Sequence, residues 1–120
     1  MPINFSSAPD LLAIVRDFVE SDILRDPELN DEKRFNLRVA VNLLAVAERE
    51  LRFGSAANAA EEARLSGFVG DEGSLEEKNR RLARAIREGA MAGDSSRLLD
   101  HLRRTTADAL RINNPKWLDG

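Results

Sequence analysis

The sequence contains no cysteine and a single histidine, His101, among its 120 residues. Without cysteine the chain forms no disulfide and holds no thiolate-ligated metal, and one histidine excludes a metal site built from several histidines. No uninterrupted apolar run approaches the roughly 18 residues that a membrane span needs. The first residues also lack the basic and apolar segments of a secretory signal. We therefore expect a soluble, cytoplasmic protein without bound metal and without a membrane partner.

Excess positive charge is also absent, because 18 lysine and arginine residues face 21 acidic ones for a formal net charge of −3. Residues 1–32 alone carry eight acidic side chains against Arg16 and Arg25. Binding to nucleic acid depends on a positive field. The basic segment 78–87 has no interleaved aromatic side chain on which bases could stack. We interpret that segment, which begins with Lys78, as a solvated helix face, and we expect no nucleic-acid partner.

No motif for catalysis or cofactor binding is present in the sequence. The chain lacks a G-x-S-x-G turn, a phosphate-binding loop, a G-x-G-x-x-G turn and an H-E-x-x-H pair. His101 lies at the edge of a predicted helix, where a lone histidine is more often a surface residue than a catalyst. We therefore predict that the protein is not an enzyme, has no catalytic residue and uses no cofactor.

The apolar side chains repeat with helical spacing almost throughout, and no alternating run indicates a strand. Caps and turns separate five predicted helices, at approximately 9–26, 31–53, 56–69, 75–88 and 95–112. We interpret Gly54 as the glycine that ends the second helix, and Ser74 with Glu77 as a capping box that opens the fourth. The short connections predict an all-α fold, with residues 1–120 forming a single-domain antiparallel bundle of about five helices.

Several polar residues interrupt apolar helix faces when each helix is projected at 100° per residue. Asp22 lies within the apolar stripe of the first predicted helix, and Asn79 lies within that of the fourth. Arg38 and Glu50 interrupt the second. One interpretation is a structural polar network of Asp22, Arg38, Glu50 and Asn79, in which Asp22 pairs with Arg38 across a helical hairpin.

A second interpretation concerns a polar stripe on the second predicted helix. Arg38, Asn42 and Arg49 form one narrow line on an otherwise almost wholly apolar cylinder. Such a line would provide hydrogen-bond donors for an anionic or carbonyl ligand. The sequence leaves open whether this stripe is buried structure or a binding groove.

Four segments of the chain, at 8–24, 35–51, 79–89 and 113–118, carry a resemblance to a known family. Together they resemble a bacterial family of small helical proteins classed only as a domain of unknown function, and segment 35–51 is the most specific. The family tends to have tyrosine where Trp117 stands, so an aromatic anchor is kept. The resemblance implies a context rather than an activity, since such proteins are typically encoded beside acyl-CoA dehydrogenase and aminoglycoside-phosphotransferase-like genes.

Two functions from different classes follow. The first is a non-catalytic accessory protein that docks onto an enzyme of acyl-CoA metabolism or a phosphotransferase-like kinase. The second is a protein that binds an anionic, acyl or phosphate-bearing ligand through Arg38, Asn42 and Arg49. Docking predicts an exposed apolar patch, whereas ligand binding predicts a pocket lined by the polar stripe. A homodimer formed through one helix face is compatible with both.

Overall fold

A single helix of 39 residues, Asp31–Val69, is the longest element of the chain. It belongs to a computed structural model that describes residues 7–118. The predicted helices 31–53 and 56–69 are therefore one helix, labelled α2, and the prediction that Gly54 ends a helix is wrong. A terminating glycine adopts positive φ, and the glycines with positive φ do not include Gly54. The alanine-rich segment after it favours helix and offsets the cost of about 1 kcal/mol of one internal glycine.

The other helices are shorter than α2. Helix α1 (Ala8–Phe18) continues into a π-helical turn (Val19–Ile23), and α3 (Leu75–Arg87) and α4 (Ser95–Asn113) follow α2. Short 3-10 turns occupy Ala92–Asp94 and Pro115–Leu118. Residues 7–118 thus contain four α-helices and no strand, which confirms the all-α class and corrects the expected number of about five. None of the helices in this range combines the length and the apolar character needed to cross a membrane.

Local signals account for most helix ends. The Ser7 hydroxyl accepts a hydrogen bond from the Asp10 backbone N–H and caps α1. The predicted capping box is confirmed, because Ser74 and Glu77 exchange side-chain-to-backbone hydrogen bonds at the start of α3. Hydrogen bonding from the backbone N–H of Ser74, and then from its side chain, lowers the pKa of the Glu77 carboxyl. Gly89 follows α3 with φ +78°, a left-handed conformation that glycine adopts without strain.

The chain divides into two units, which are described separately. Unit 1 comprises the described residues through Gly54 together with Ile112–Asn114. Unit 2 comprises Ser55–Arg111 and the described residues from Pro115 onward.

Unit 1 contains an antiparallel hairpin of α1 and the first part of α2. Arg52 Nη2 lies 3.1 Å from Asp10 Oδ1, and Arg16 Nη2 lies 3.2 Å from Glu48 Oε2. The later α1 residue pairs with the earlier α2 residue, so the two helices run in opposite directions. Arg34 donates to the backbone carbonyls of Leu24, Asp26 and Leu29 and so holds the connection between the helices.

Unit 2 has a small buried centre. Leu65 of α2 and Leu82 of α3 are its buried apolar side chains among the described residues. Two ionisable residues, Lys78 and His101, are also buried, with 4% and 2% of their surface exposed. Trp117, expected to act as an aromatic anchor, is instead exposed.

Candidate functional site

The polar stripe on α2 does not present three free donors. Arg38 and Asn42 are exposed, and neither side chain makes a hydrogen bond within residues 7–118. Arg49 is half-buried, and its Nε donates to the backbone carbonyl of Ile112 over 2.7 Å. Ile112 lies in the last turn of α4, where carbonyl oxygens lack partners within the helix. Arg49 therefore satisfies a helix terminus, and only Arg38 and Asn42 remain available to a ligand.

The four residues predicted as a structural network are all exposed. In the described part of unit 1, no ion pair or hydrogen bond joins Asp22, Arg38 or Glu50 to one another, so the predicted Asp22–Arg38 pair is absent. Asn79 of unit 2 instead donates to Glu61 Oε2 over 2.9 Å.

Asp22 lies in the π-helical turn Val19–Ile23, where the Leu24 N–H bonds to the Val19 carbonyl, five residues back. The helical projection groups Asp22 with Leu11, Val15 and Phe18, and these apolar side chains are themselves exposed. The apolar stripe of the first helix is therefore not a buried face, and Asp22 needs no buried partner.

The polar cluster that the structure does bring together is in unit 2, around His101. Arg64 Nε lies 2.9 Å from His101 Nδ1, and Arg64 Nη2 donates to Thr105 Oγ1 over 3.1 Å. The Phe68 ring lies against the imidazole, with centroids 5.6 Å apart and a tilt of 57°. The prediction that His101 is a surface residue is wrong, since this histidine is buried between two helices.

Helix spacing positions these side chains. On α4, Arg97, His101 and Thr105 recur every fourth residue and share one face. On α2, Arg64 and Phe68 have the same spacing and lie opposite them. The spacing of these residues is visible in the sequence, since 64–68 lies within the predicted helix 56–69 and 97–105 within the predicted helix 95–112, but the sequence does not show that the two faces meet.

The protonation of His101 follows from these contacts. Burial lowers the pKa of the imidazole, and the nearby positive charge of Arg64 lowers it further. The carboxylates of Glu61 and Asp100 act in the opposite direction, and the net pKa lies below 6.5. Because Arg64 donates to Nδ1, that nitrogen carries no proton, and the neutral ring holds its hydrogen on Nε2.

Arg97 covers the outer side of the same cluster. Its guanidinium lies 4.6 Å from the centroid of the Phe68 ring, within the range of a cation–π contact. Its Nη2 donates to the Gly67 carbonyl over 3.3 Å, and its Nη1 lies 3.4 Å from Asp94 Oδ1. Arg97 is thereby held over the cluster while its side chain keeps 58% exposure.

A pocket of about 260 Å³ opens at this cluster. Its lining includes Arg64, Gly67, Phe68, Arg97, Asp100 and His101. Asp100 is engaged by Arg104, whose Nε lies 3.1 Å from Oδ2. The pocket thus combines two guanidinium groups, a neutral imidazole and one carboxylate that already has a cationic partner.

Lys78 is the other buried polar side chain of unit 2. Its Nζ donates to Glu62 Oε1 and to Ser66 Oγ, both over 3.2 Å. The interpretation of Lys78 as part of a solvated face is wrong. It lies three residues after Leu75 and four before Leu82, so helical spacing places it on the apolar face of α3. Over residues 7–118 no group of three or more histidine, aspartate or glutamate side chains could hold a metal ion.

The fold and this cluster define an all-helical protein with a buried histidine that pairs with a half-buried arginine, and with a buried lysine. The chain belongs to the family described as "Domain of unknown function (DUF6285)", whose model matches residues 27–117. This match confirms the resemblance to a family of unknown function. No curated protein and no solved structure matches the chain.

Proposed function

We propose that this chain is a non-catalytic interaction protein that docks onto an enzyme through unit 1. The observation that carries the proposal is an exposed apolar face on α1, formed by Leu11, Ile14, Val15 and Phe18. These residues recur at i, i+3, i+4 and i+7, the spacing with which an amphipathic helix meets a partner. Single exposed apolar side chains are ordinary on a protein surface, but an aligned set of four is characteristic of an interface.

The first part of α2 supports the same function. Phe35, Val39 and Leu43 recur every fourth residue, and all are exposed. Leu37, Val41 and Leu44 lie on other sides of the same helix and are half-buried. A helix that is apolar around most of its circumference is suited to contacts on more than one side.

Charge favours a different protein over a second copy of this chain. Residues 1–32 carry a charge of −6, from eight acidic and two basic side chains. Two copies that met through α1 would bring like charges together, which opposes association. We infer a partner whose apolar groove has a lysine- and arginine-rich rim.

The resemblance supplies the class of partner. We propose an acyl-CoA dehydrogenase-like or phosphotransferase-like enzyme, encoded nearby in a bacterial genome and met in the cytoplasm. The proposal includes the architecture expected from the sequence, one antiparallel helical domain over residues 1–120, because the connections between helices are short.

The alternative function was binding of an anionic, acyl or phosphate-bearing ligand by Arg38, Asn42 and Arg49. The bond from Arg49 to the Ile112 carbonyl weakens this alternative, since one of the three donors is already engaged. If Arg49 has a structural role and the protein acts by docking, Arg49→Ala destabilises unit 1 by about 1–2 kcal/mol, because the Ile112 carbonyl loses its charged donor. Urea unfolding measures this loss.

The docking experiment uses purified components. The two enzymes encoded beside the gene are titrated separately with the full chain by calorimetry, and Phe18→Glu is compared with Leu99→Glu. The two residues are similarly exposed at 54% and 48%, but Leu99 lies on α4 in unit 2. We expect one enzyme to bind, with affinity reduced tenfold or more by Phe18→Glu and unchanged by Leu99→Glu.

Salt provides a second readout. Raising the ionic strength from about 0.05 M to about 0.5 M should weaken binding, because it screens the excess acidic charge of residues 1–32. Failure of both enzymes to bind would overturn the proposal. Equal effects of the two variants, or a homodimer in sedimentation that Phe18→Glu dissolves, would overturn it as well.

A further inference from the structure

The pocket at His101 has more hydrogen-bond donors than its own residues use. Arg64 donates one hydrogen bond from Nε to His101 and one from Nη2 to Thr105, whereas its Nη1 makes no hydrogen bond to a described residue. Arg97 uses one long bond from each terminal nitrogen, and its Nε makes none within residues 7–118. Two guanidinium groups therefore line the same small pocket with donor capacity left over.

His101 adds a third donor. With Nδ1 accepting from Arg64, the ring carries its hydrogen on Nε2, and this atom makes no hydrogen bond to a described residue. His101 lines the pocket, although only 2% of its surface is exposed. A ligand atom that accepts a hydrogen bond from this Nε2 adds to the affinity of the pocket.

The charges around the pocket favour an anion. Arg64 and Arg97 contribute two positive charges, and Asp100 is the one acidic residue in the lining. That carboxylate is paired with Arg104, and the nearby Glu61 accepts from Asn79. Guanidinium groups bind carboxylate and phosphate oxygens in paired hydrogen bonds, which makes two of them a selective anchor for an oxyanion.

We propose that this pocket binds a small oxyanion, a phosphate or a carboxylate group, held by Arg64 and Arg97 with His101 Nε2 as a third donor. The site is independent of the docking face proposed on α1, which lies in unit 1. It is also distinct from the Arg38–Asn42–Arg49 stripe.

The single histidine makes a direct test possible. Its imidazole resonances in NMR spectra arise from one residue, so they can be followed without assignment. The full chain is titrated with inorganic phosphate, and separately with acetate, against sodium chloride at equal ionic strength. We expect a saturable shift of the His101 resonances and a rise of its pKa, because a bound anion offsets the positive charge of Arg64.

The two anions distinguish the two sources of the oxyanion. A saturable effect of phosphate alone assigns the site to phosphate-bearing ligands, and an effect of acetate alone assigns it to carboxylates. Saturation by either anion supports the proposal. Absence of a saturable shift with both anions would overturn it.

Matched variants show whether the shift comes from this pocket. Arg97→Gln should weaken binding about tenfold or more, the usual effect of losing one charged hydrogen-bond donor. Arg87→Gln removes the same charge from an exposed position of α3 and should leave the affinity unchanged. Circular dichroism confirms that both variants keep their helices. Equal affinities in the wild type and Arg97→Gln would overturn the proposal.

Discussion

The Nε–H of Arg64 donates a hydrogen bond to Nδ1 of His101 over 2.9 Å, between two helices of unit 2. This bond requires a neutral imidazole, because a protonated ring has no free nitrogen to accept it. The one histidine of the chain is thus held neutral by a cationic neighbour in a buried position. Acidification must break this arrangement, and stability should depend on pH as a consequence.

The first prediction concerns that pH dependence. The pKa of His101 in the folded chain lies below its ordinary value of 6.5. Between the two values the unfolded chain binds more protons, so the free energy of unfolding falls as the pH falls from 6.5 toward the folded pKa. The slope for one such group approaches at most about 1.4 kcal/mol per pH unit. Urea unfolding at a series of pH values above the carboxylate range measures it.

The control is His101→Gln. A glutamine side chain cannot be protonated, yet its carbonyl oxygen can still accept a hydrogen bond from Arg64. This variant should lose most of the pH dependence between neutrality and the carboxylate range. An unchanged slope in His101→Gln would show that other groups are responsible.

The second prediction concerns the buried Lys78. Glu62→Gln removes the negative partner of an ammonium group that is 4% exposed and leaves Ser66 as an uncharged partner. Since the Glu62 side chain is itself 45% exposed, we expect a loss of about 1–2 kcal/mol in the free energy of unfolding, less than for a fully buried pair. Chemical denaturation measures the loss.

Two further variants separate the burial of the charge from the pairing. Lys78→Met removes the buried charge and keeps the volume, so we expect a change below about 1 kcal/mol. Glu76→Gln disrupts the exposed pair with Arg80 and should cost at most about 0.5 kcal/mol. Equal losses in Glu62→Gln and Glu76→Gln would contradict the burial of Lys78.

The third prediction tests the continuity of α2. Gly54→Ala should raise the free energy of unfolding by about 0.5–1 kcal/mol, because alanine favours a helix interior. The added methyl would lie 2.6 Å from Glu50 Oε1, and this flexible, exposed carboxylate can move away. Thermal unfolding followed by circular dichroism provides the measurement.

Gly89→Ala is the matched comparison for Gly54→Ala. Gly89 has φ +78°, where a Cβ atom costs about 1–2 kcal/mol, so the same substitution should destabilise the protein here. If Gly54→Ala also destabilised the chain by 1 kcal/mol or more, an uninterrupted α2 would be contradicted.

Much of the local structure could be predicted from the sequence. The caps at Ser7 and Ser74 and the end of α3 before Gly89 are governed by residues within one helical turn. For the same reason the predicted ends of α3 and α4 differ from the observed ones by one residue. Gly54 was the exception, because a glycine terminates a helix only when its backbone adopts positive φ, and its neighbours did not require that.

The candidate site was much less predictable. A helical projection at constant angle placed Asp22 on an apolar face that was expected to be buried, but the structure leaves that face exposed. Arg49 appeared to belong to a ligand stripe, yet its partner is a carbonyl 63 residues later. In both cases the outcome depended on tertiary exposure or contacts, which the helical periodicity of the sequence does not describe.

By itself, the sequence determined that this chain is helical, because apolar spacing, caps and turn residues act over a few neighbouring positions. Only the tertiary structure decided that His101 is buried, and that Arg64 and Glu62 are the partners of His101 and Lys78. Burying a polar group is favourable only where a partner from another helix satisfies it. Along the chain, Arg64 is 37 residues from His101, and Glu62 is 16 residues from Lys78. Local sequence patterns carry no information over such separations.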